Sequence, residues 1–366
     1  MENLIKEIKN CKVEWRKLGE VANYEQPTRY LVKTKNYSNE FDIPVLTAGK
    51  TFILGYTSEK NGIYKASQNP VIIFDDFTTA NKWVNFDFKV KSSAMKMITS
   101  KDESKVLLKY IYYWLNNLPN VVSENDHKRQ WINNYSKKLI PIPPLDIQEK
   151  IVKILDRFTD LTTELTTELT LRKKQYSYYL NKLLTFRDDE VEWRKLGEVI
   201  KLEKGKQLNK TLLKEKGKYP AYNGGITYSG FTDKYNYDEN KIIISQGGAS
   251  AGYVNFVTTR FYANAHCYVV LPNENIIDNK YLYHFLKLKQ GIIMKKQHGA
   301  GIPALKQSEI LNIIIPIPPL EKQKEIVKIL DKFHTLTNSL TEGLPREINL
   351  RQKQYEYYRN LLFNFK

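Results

Sequence analysis

The sequence has few of the residues that build metal or disulfide sites, and it has no long apolar run. Its two cysteines, Cys11 and Cys267, are too few for a four-ligand zinc site, and their wide separation is typical of a protein from a reducing compartment. Residues 1–12 are charged and amphipathic, unlike a signal peptide. The longest apolar stretch, residues 310–320, contains three prolines and is too short to span a membrane. Zinc enzymes and disulfide-stapled domains are thereby excluded, and a cytoplasmic protein with no membrane partner is predicted.

Motifs of catalysis and nucleotide binding are also missing. Both Pro-Pro pairs follow isoleucine rather than the asparagine of the Asn-Pro-Pro-Tyr/Phe motif of adenine methyltransferases, and they are interpreted as helix starts. Residues 247–252 are glycine-rich, but Tyr253 and Val254 follow where a phosphate-binding loop needs lysine and serine or threonine. Asp75 and Asp76 lack the Glu-x-Lys partner of a nuclease site and are interpreted as structural. No catalytic residue, metal site or bound cofactor is therefore predicted for this chain.

What the sequence has in excess is positive charge. It carries 57 lysine and arginine residues against 40 aspartate and glutamate residues, which gives a formal net charge of +17 over 366 residues. A surplus of this size favours association with polyanions, although it says little about fold. Nucleic acid is therefore the first partner that the composition indicates.

The chain repeats itself, with the shared strings in the same order in both halves. The shared strings are VEWRKLGEV at residues 13–21 and 191–199, IPIPPL at 140–145 and 315–320, IVKILD at 151–156 and 326–331, and LRKKQYSYY at 171–179 against LRQKQYEYY at 350–358. The chain is therefore two halves of about 178 residues each. The sequence between the shared strings corresponds only weakly, which predicts one fold used twice with different loops.

Each half begins with a globular segment and ends with a long amphipathic stretch. Strands are predicted at residues 71–74, 241–245, 261–271 and 313–317, and helices at residues 105–117 and 279–290. After each Pro-Pro-Leu, apolar residues recur every three or four positions, which predicts helices that begin at Asp146 and Glu321. A helix with one apolar stripe needs a partner, and its own repeat in an antiparallel coiled coil is the simplest one. Gly343 and Pro345 interrupt the second stripe, so the second helix is expected to bend or loop there.

The positive charge is concentrated in the globular segments. Residues 146–184 carry a net charge of +1 and residues 321–366 carry +3, which leaves +13 on the rest of the chain. This distribution favours two nucleic-acid-binding segments joined by nearly neutral helices.

Taken together, EWRKLGEV at the start of each half, IPIPPLxxQxxIVKIL at the end of each globular segment and the long helix after it resemble the specificity subunit of type I restriction-modification systems. The resemblance covers the whole chain. It implies an α+β fold with two similar target-recognition domains, residues 1–145 and 185–320, separated by two long antiparallel coiled-coil helices, residues 146–184 and 321–366, related by a pseudo-two-fold axis.

The same resemblance implies function and partners. Each domain is expected to read one part of a bipartite sequence in double-stranded DNA, while two methyltransferase subunits and the restriction subunits assemble on the chain. S-adenosylmethionine, ATP and Mg are expected on those partners, and no cofactor is expected on this chain.

Nine residues are predicted to contact DNA. They are Asn223, Gly224, Gln246 and Gly247 in two turns, and His127, Lys128, Arg129, Lys295 and Lys296 in basic segments ahead of the closing IPIPPL strands. Glycine permits close backbone approach, amides suit the edge of adenine, and basic groups suit phosphate. Ordinary hairpin turns and solvated basic loops are the alternatives.

The repeated framework is predicted to bind two copies of one partner. The residues chosen for this role are Trp15, Arg16, Trp193, Arg194, Leu161, Leu165, Leu336 and Leu340. Structural necessity alone is the alternative reason for their repetition. For the whole protein, the alternative function is a stand-alone duplicated DNA-binding protein that acts without restriction or methylation partners.

Overall fold

The protein is described by a computed structural model that covers residues 2–47, 51–119, 129–299, 301 and 303–365. The chain divides into two compact units. Unit 1 comprises Met1–Glu164 and Ile348–Lys366, and unit 2 comprises Leu165–Glu347. Each unit therefore contains one globular segment together with parts of the long helical stretches.

Short strands and a few helices make up each globular segment. The strands are β1 Glu14–Lys17, β2 Ala22–Glu25, β3 Ile43–Leu46, β4 Ile53–Thr57, β5 Val71–Asp75, β6 Asn81–Val84, β7 Lys89–Val90, β8 Met95–Ser100, β9 Leu139–Ile142, β10 Glu192–Lys195, β11 Ile200–Lys204, β12 Tyr219–Tyr222, β13 Gly230–Thr232, β14 Lys241–Ser245, β15 Val254–Val257, β16 Tyr262–Ala263, β17 Cys267–Pro272 and β18 Ile314–Ile317. The helices are α1 Glu2–Asn10, α2 Leu18–Val21, α3 Leu108–Asn117, α4 Gln130–Asn133, α5 Leu145–Leu184, α6 Leu196–Val199, α7 Asn279–Lys295, α8 Gln307–Leu311, α9 Leu320–Asn338 and α10 Gly343–Leu362.

The sheets have the same topology in the two units. Unit 1 contains a four-stranded sheet in the order β2-β8-β5-β6, a three-stranded sheet β4-β3-β7 and a two-stranded sheet β1-β9. Unit 2 contains the corresponding sheets β11-β17-β14-β15, β13-β12-β16 and β10-β18. Each three-stranded sheet contains one parallel pair of strands. It is β3 with β7 in unit 1 and β12 with β16 in unit 2. The duplicated α+β architecture predicted from the sequence is confirmed.

The inner strands β5 and β14 of the four-stranded sheets are buried on both faces, which explains their continuous apolar sequences. Successive side chains of a strand point to opposite faces. In β5, Ile72 and Phe74 join the cluster that contains α3, whereas Val71 and Ile73 join the cluster of the three-stranded sheet. In β14, Ile242 and Ile244 pack with α7, and residue 243 packs on the other side.

The long helices differ between the two halves. Helix α5 runs for 40 residues without interruption, a length of about 60 Å. The corresponding stretch in the second half is two helices, because α9 ends at Asn338 and α10 begins at Gly343. The predicted interruption is therefore confirmed, but it precedes Pro345, which lies in the first turn of α10 where no N–H is needed. As a consequence Leu340, placed by the sequence in a helical stripe, lies in the break and is 83% exposed.

Gly343 is required at the break. Its φ is +77°, and a Cβ added there would lie 2.5 Å from the carbonyl oxygen of Thr335 and 2.8 Å from that of Leu336. Any other residue would meet both the strain of the left-handed backbone region and this backbone clash. The break therefore has a local cause in the sequence.

Within each unit the long helices pack through aromatic rings. In unit 1, Phe158 of α5 stacks on Tyr358 of α10 at 5.5 Å between ring centroids. In unit 2, Tyr179 of α5 stacks on Phe333 of α9 at 5.2 Å. In unit 1, Leu362, which follows Tyr358, shares a buried cluster with residues 147–155, which precede Phe158. In unit 2, Leu184, which follows Tyr179, shares a buried cluster with residues 326–330, which precede Phe333. The paired segments inside each unit are therefore antiparallel.

Three element predictions need correction. The strand predicted at residues 261–271 is two strands, because the side-chain oxygen of Asn264 accepts hydrogen bonds from the N–H groups of Leu208 and Ala265 and turns the chain. Helix α3 begins at Leu108, three residues later than predicted, and α7 continues to Lys295, past the predicted end at residue 290.

Candidate nucleic-acid interface

Four of the predicted DNA-contact residues lie together at one end of β14 in unit 2. The backbone N–H of Gln246 donates to the carbonyl of His266 at 2.8 Å, and the N–H of Gly248 donates to that of Pro303 at 2.8 Å. The hydroxyl of Ser245 donates to the carbonyl of Gly225 at 3.2 Å, which joins the turn after β12 to the turn after β14. The structure therefore brings together the two turns that the sequence singled out, along with His266 and residues 303–304, which the sequence did not indicate.

Gly224 lies where these turns leave no room for a side chain. It is buried with φ +79°, and a Cβ there would lie 2.9 Å from the carbonyl oxygen of His266 and 3.1 Å from that of Gly247. Its N–H donates to the sulfur of Cys267 at 3.2 Å. Burial raises the pKa of that thiol to about 11, so Cys267 is a neutral packing residue. Gly224 thus serves the junction of the turns, while Asn223 beside it is exposed.

A cavity of about 360 Å³ opens beside Asn223. Its lining includes Gln207, Asn209, Asn223 and Asn264, and the side-chain oxygens of Asn209 and Asn264 already accept backbone N–H groups. An amide offers both an N–H donor and a carbonyl acceptor, the combination that pairs with the edge of adenine. Gln207 and Asn209 were not predicted as contact residues, and the sequence around them offers no signal of DNA contact beyond their residue type.

The basic residues of unit 2 border the same turns. Gln297 donates from Nε2 to the carbonyl of Ala251 at 2.6 Å, which ties the segment after α7 to the turn after β14. Lys295 is exposed, whereas Lys296 forms an ion pair with Glu309 at 3.0 Å. The hydrogen bond from Lys296 lowers the pKa of Glu309. Lys295 is therefore the better placed of the two to reach a phosphate.

In unit 1 the equivalent place is the turn after β5. The N–H of Gln130 donates to the carbonyl of Asp76 at 2.8 Å, just as the N–H of Leu305 donates to that of Gln246. Gln130 is therefore the structural counterpart of Leu305. Arg129 adjoins this turn, and His127 and Lys128 lie outside the described residues.

The turn after β5 is held by a buried charge pair that the sequence did not reveal. The side chain of Asp76 accepts from the N–H of Trp131 at 2.8 Å, and its other oxygen lies 3.9 Å from Nζ of Lys96. Burial lowers the pKa of Lys96, while the charge of Asp76 opposes that effect. Asp75 accepts from the N–H groups of Phe77 and residue 78, so both aspartates shape the turn.

A second candidate surface is the two-stranded sheet that opens and closes each globular segment. Trp15 lies opposite Pro141 in unit 1, and Trp193 lies opposite Pro316 in unit 2. The two tryptophans are 47% and 38% exposed, and the partner strands add Leu139 at 55% and Ile314 at 54%. We call this the tryptophan face of each unit, formed by Trp15 and Leu139 in unit 1 and by Trp193 and Ile314 in unit 2.

The face of each two-stranded sheet opposite the tryptophan is also the same in the two units, since successive side chains of a strand point to opposite faces. Nε of Arg16 donates to Glu14 at 2.8 Å, and Nε of Arg194 donates to Glu192 at 2.8 Å. Because Glu14, Arg16 and Glu192 are exposed and Arg194 is only half-buried, burial in the core does not account for their repetition.

Of the predicted partner-binding leucines, all but Leu340 lie on the long helices. Leu161 and Leu165 of α5 are half-buried, and so is Leu336 of α9. They therefore leave apolar surface available, unlike the fully buried Leu155 and Leu330 earlier on the same helices.

The described residues contain no group of three or more His, Cys, Asp or Glu side chains that could hold a metal ion. In the same part of the chain, no helix combines the length and apolarity needed to cross a membrane.

Comparison with known proteins gives a consistent family. The model of the type I restriction modification DNA specificity domain matches residues 10–172 and again residues 188–350. A type I restriction enzyme specificity subunit of Escherichia coli is 50% identical over 100% of this chain and 97% of its own length. A putative type I restriction enzyme specificity subunit of Haemophilus influenzae is 34% identical over 99% and 98%. The crystal structure of an S subunit from M. genitalium shares the fold, with a TM-score of 0.73 over 97% of this chain and 96% of that one at 18% identity.

Proposed function

The chain belongs to the type I restriction-modification DNA specificity family, and on that premise we propose that its two units each read one half of a bipartite DNA target while the chain holds two methyltransferase subunits and the restriction subunits. The observation that carries this proposal is the duplication itself. Both units have the same sheet topology, yet the turns at the ends of β5 and β14 differ in length and chemistry. One fold with two different reading surfaces suits two different half-sites.

The turn clusters supply the chemistry of reading. In unit 2 the amides of Gln207, Asn209 and Asn223 surround one cavity, and Lys295 lies exposed near the same turns. Amides discriminate base edges, whereas a lysine holds phosphate and sets position. In unit 1, Arg129 supplies positive charge beside the turn after β5.

The tryptophan faces are the proposed docking sites for the methyltransferase subunits. Each combines an exposed indole with an exposed aliphatic side chain, and large aromatic anchors dominate the energy of protein interfaces. Because each face has a tryptophan and an aliphatic residue at equivalent register positions, the two faces suit two copies of one partner bound pseudo-symmetrically. The half-buried Leu161, Leu165 and Leu336 and the exposed Leu340 offer further apolar surface to a partner.

In this proposal the chain is a non-catalytic subunit of a cytoplasmic complex. S-adenosylmethionine would be held by the methyltransferase subunits, and ATP and Mg by the partners that methylate and cut DNA. The absence of an Asn-Pro-Pro-Tyr/Phe motif from the sequence supports this division of labour.

Native mass spectrometry of the chain co-expressed with its methyltransferase tests the docking sites. We expect two methyltransferase chains on the wild type, one on Trp15→Ala or Trp193→Ala, and none on the double variant. Leu212→Ala is the matched control, because Leu212 is 40% exposed, close to the 38% of Trp193, and lies outside the repeated strings. Retention of two partners by the double variant would refute the tryptophan faces as docking sites.

Exchange of one domain tests the assignment of half-sites. Residues 22–139 would be replaced by the equivalent segment of a relative, and methylated adenines would be mapped by sequencing. We expect one half of the methylated sequence to change and the other half to stay. A simultaneous change in both halves contradicts the proposal, and specific DNA binding by the chain alone would instead favour a stand-alone DNA-binding protein.

A further inference from the structure

Each globular segment is joined to its long helix by a fully buried glutamine. In unit 1, Gln148 of α5 is 0% exposed, and its Nε2 donates to the carbonyls of Lys105 and Pro143, both at 2.9 Å. Its Oε1 accepts from the N–H of Leu107 at 3.0 Å. Both amide protons and the amide oxygen are therefore used. The bonds reach the backbone immediately ahead of α3, so they hold the position of that helix rather than of a flexible side chain.

Unit 2 repeats this arrangement bond for bond. Gln323 of α9 is also 0% exposed, and its Nε2 donates to the carbonyls of Pro318 at 2.8 Å and Ile276 at 3.0 Å. Its Oε1 accepts from the N–H of Asp278 at 2.7 Å, immediately ahead of α7. The duplicated bonds show that the junction, and not only the elements it joins, is common to both units.

A second attachment lies two helical turns further along each long helix. Asp156 of α5 accepts a hydrogen bond from the hydroxyl of Tyr113 and pairs with Lys109 of α3 at 3.1 Å. Asp331 of α9 accepts from Nε2 of His284 at 2.8 Å and lies 3.6 Å from Nζ of Lys280, both on α7.

The lysines connect these aspartates to the sheets. Nζ of Lys109 lies 4.4 Å from the ring centroid of Trp83 on β6, and Nζ of Lys280 lies 4.1 Å from that of Phe256 on β15. Burial opposes ionisation of Asp331, but the hydrogen bond from His284 and the charge of Lys280 outweigh it and lower its pKa. The aspartate, the lysine and the aromatic ring thus connect each long helix to the edge strand of the four-stranded sheet.

The two attachments together restrict rotation. Gln148 and Asp156 are eight residues apart, as are Gln323 and Asp331, so the attachment points are about 12 Å apart along each helix. A single point would act as a pivot, whereas two separated points also set the angle between the globular segment and its helix.

We propose that Gln148 with Asp156, and Gln323 with Asp331, are positioning residues that set the angle of each recognition domain on its own helix and so restrict the spacer length allowed between the two half-sites. This inference rests on the proposed function. One base pair of spacer advances the target by 3.4 Å and turns it by about a tenth of a turn. A domain held at a fixed angle rejects that rotation, whereas a domain free to turn tolerates it.

The test compares methylation at altered spacers in the assembled complex. Gln323→Ala and Asp331→Asn would each be co-expressed with the methyltransferase, and methylated adenines would be mapped genome-wide. The measured quantity is methylation at sites whose spacer is one base pair longer or shorter, divided by methylation at sites with the wild-type spacer. We expect this ratio to rise about tenfold, as the loss of a net hydrogen bond from the junction predicts, with the half-site bases unchanged.

Thr337→Val is the matched control. Thr337 is 1% exposed on the same helix, and its hydroxyl donates to the carbonyl of Phe333, so that bond stays within α9. We expect this variant to lose stability without a change in the spacer ratio. An equal change of the ratio in the control, or no change in either junction variant, refutes the proposal.

Three further outcomes each have one interpretation. If Gln323→Ala yields no assembled complex, Asp331→Asn decides, because asparagine still accepts the bond from His284 and removes only the charge that Lys280 faces. If the wild-type complex methylates no bipartite site, the proposed function fails and the junction proposal fails with it. If the wild type methylates such a site and the variants keep its spacer, only the junction proposal fails.

Discussion

Lengthening α5 in its middle should lengthen the spacer of the recognised DNA. Residues 161–169 read LTTELTTEL, and the boundary between the two units, at Glu164 and Leu165, falls inside this tandem. Inserting Leu-Thr-Thr-Glu after Glu168 adds one repeat to a helix that already runs for 40 residues without a break. Four helical residues add about 6 Å and turn the helix by about 40° beyond a full turn.

These magnitudes limit the change to one or two base pairs. An added 6 Å corresponds to at most about two steps of 3.4 Å. Two steps also turn the duplex by about a fifth of a turn, roughly 70°, which exceeds the helix rotation and favours the smaller change. In the second half of the chain, the break between α9 and α10 at residues 339–342 is the place that can absorb the added length.

The assay is genome-wide mapping of methylated adenines in cells that express the inserted variant with its methyltransferase. We expect the same two half-sites separated by a longer non-specific spacer. The length-preserving control is the double substitution Thr166→Ala and Thr167→Ala, which should keep the wild-type spacer. Full activity of the inserted variant at the unchanged spacer would refute the idea that α5 sets the distance.

Three further predictions concern stability and binding. Gly343→Ala should destabilise unit 2 by at least about 1–2 kcal/mol and lower its melting temperature by about 2–8 °C, because alanine resists φ +77° and its Cβ meets the carbonyl of Thr335. Burial, followed by the charge of His284, lowers the pKa of His334 to about 4 from 6.5. As the pH falls, His334 therefore binds a proton at a higher pH in the unfolded protein than in the folded one. The free energy of unfolding should fall by about 1–2 kcal/mol from pH 7 to pH 5, as thermal melts would show. DNA affinity of the assembled complex should fall at least about a thousandfold between about 50 and 200 mM salt if six phosphates are contacted.

Each of these has a control within the chain. Gly291→Ala, in α7 with no atom within 4 Å of the added Cβ, should be neutral or stabilising, and equal losses at both glycines would contradict the argument for Gly343. His334→Thr introduces the residue found at the equivalent position, Thr159, and should remove the contribution of His334 to the pH dependence between pH 7 and 5. The lowered pKa of Asp331 acts only below its ordinary value of 3.8, outside that window. An affinity that ignores salt would argue against phosphate contacts.

The two units show how one scaffold accepts different polar groups at one position. Asp156 is faced by Tyr113 and Asp331 by His284, so a phenol and an imidazole donate to the same carboxylate. Both donors reach the carboxylate because α3 contacts α5 and α7 contacts α9 at equivalent positions of the long helices. The position of the carboxylate is therefore shared, whereas the donor is free to vary.

The sequence alone determined the duplicated organisation. The repeated strings are visible in the sequence without a structure. The apolar residues of 146–184 and 321–338 recur with the period of a helix, so these helices are also predictable. The interruption near Gly343 was equally local, since glycine and proline act on their own backbone. The two turns of unit 2 that contain Asn223 and Gln246 were chosen on residue type, and the fold places them side by side.

Other features depended on contacts between residues distant in the sequence. Nothing near Gln148 predicts that its amide meets Lys105 and Leu107, and nothing near Lys96 predicts burial beside Asp76. Side-chain burial and hydrogen-bond partners arise only when strands and helices from separate parts of the chain pack together. The sequence therefore determined which elements form and that they form twice, while the tertiary structure decided which polar side chains join them and which repeated residues remain exposed for a partner.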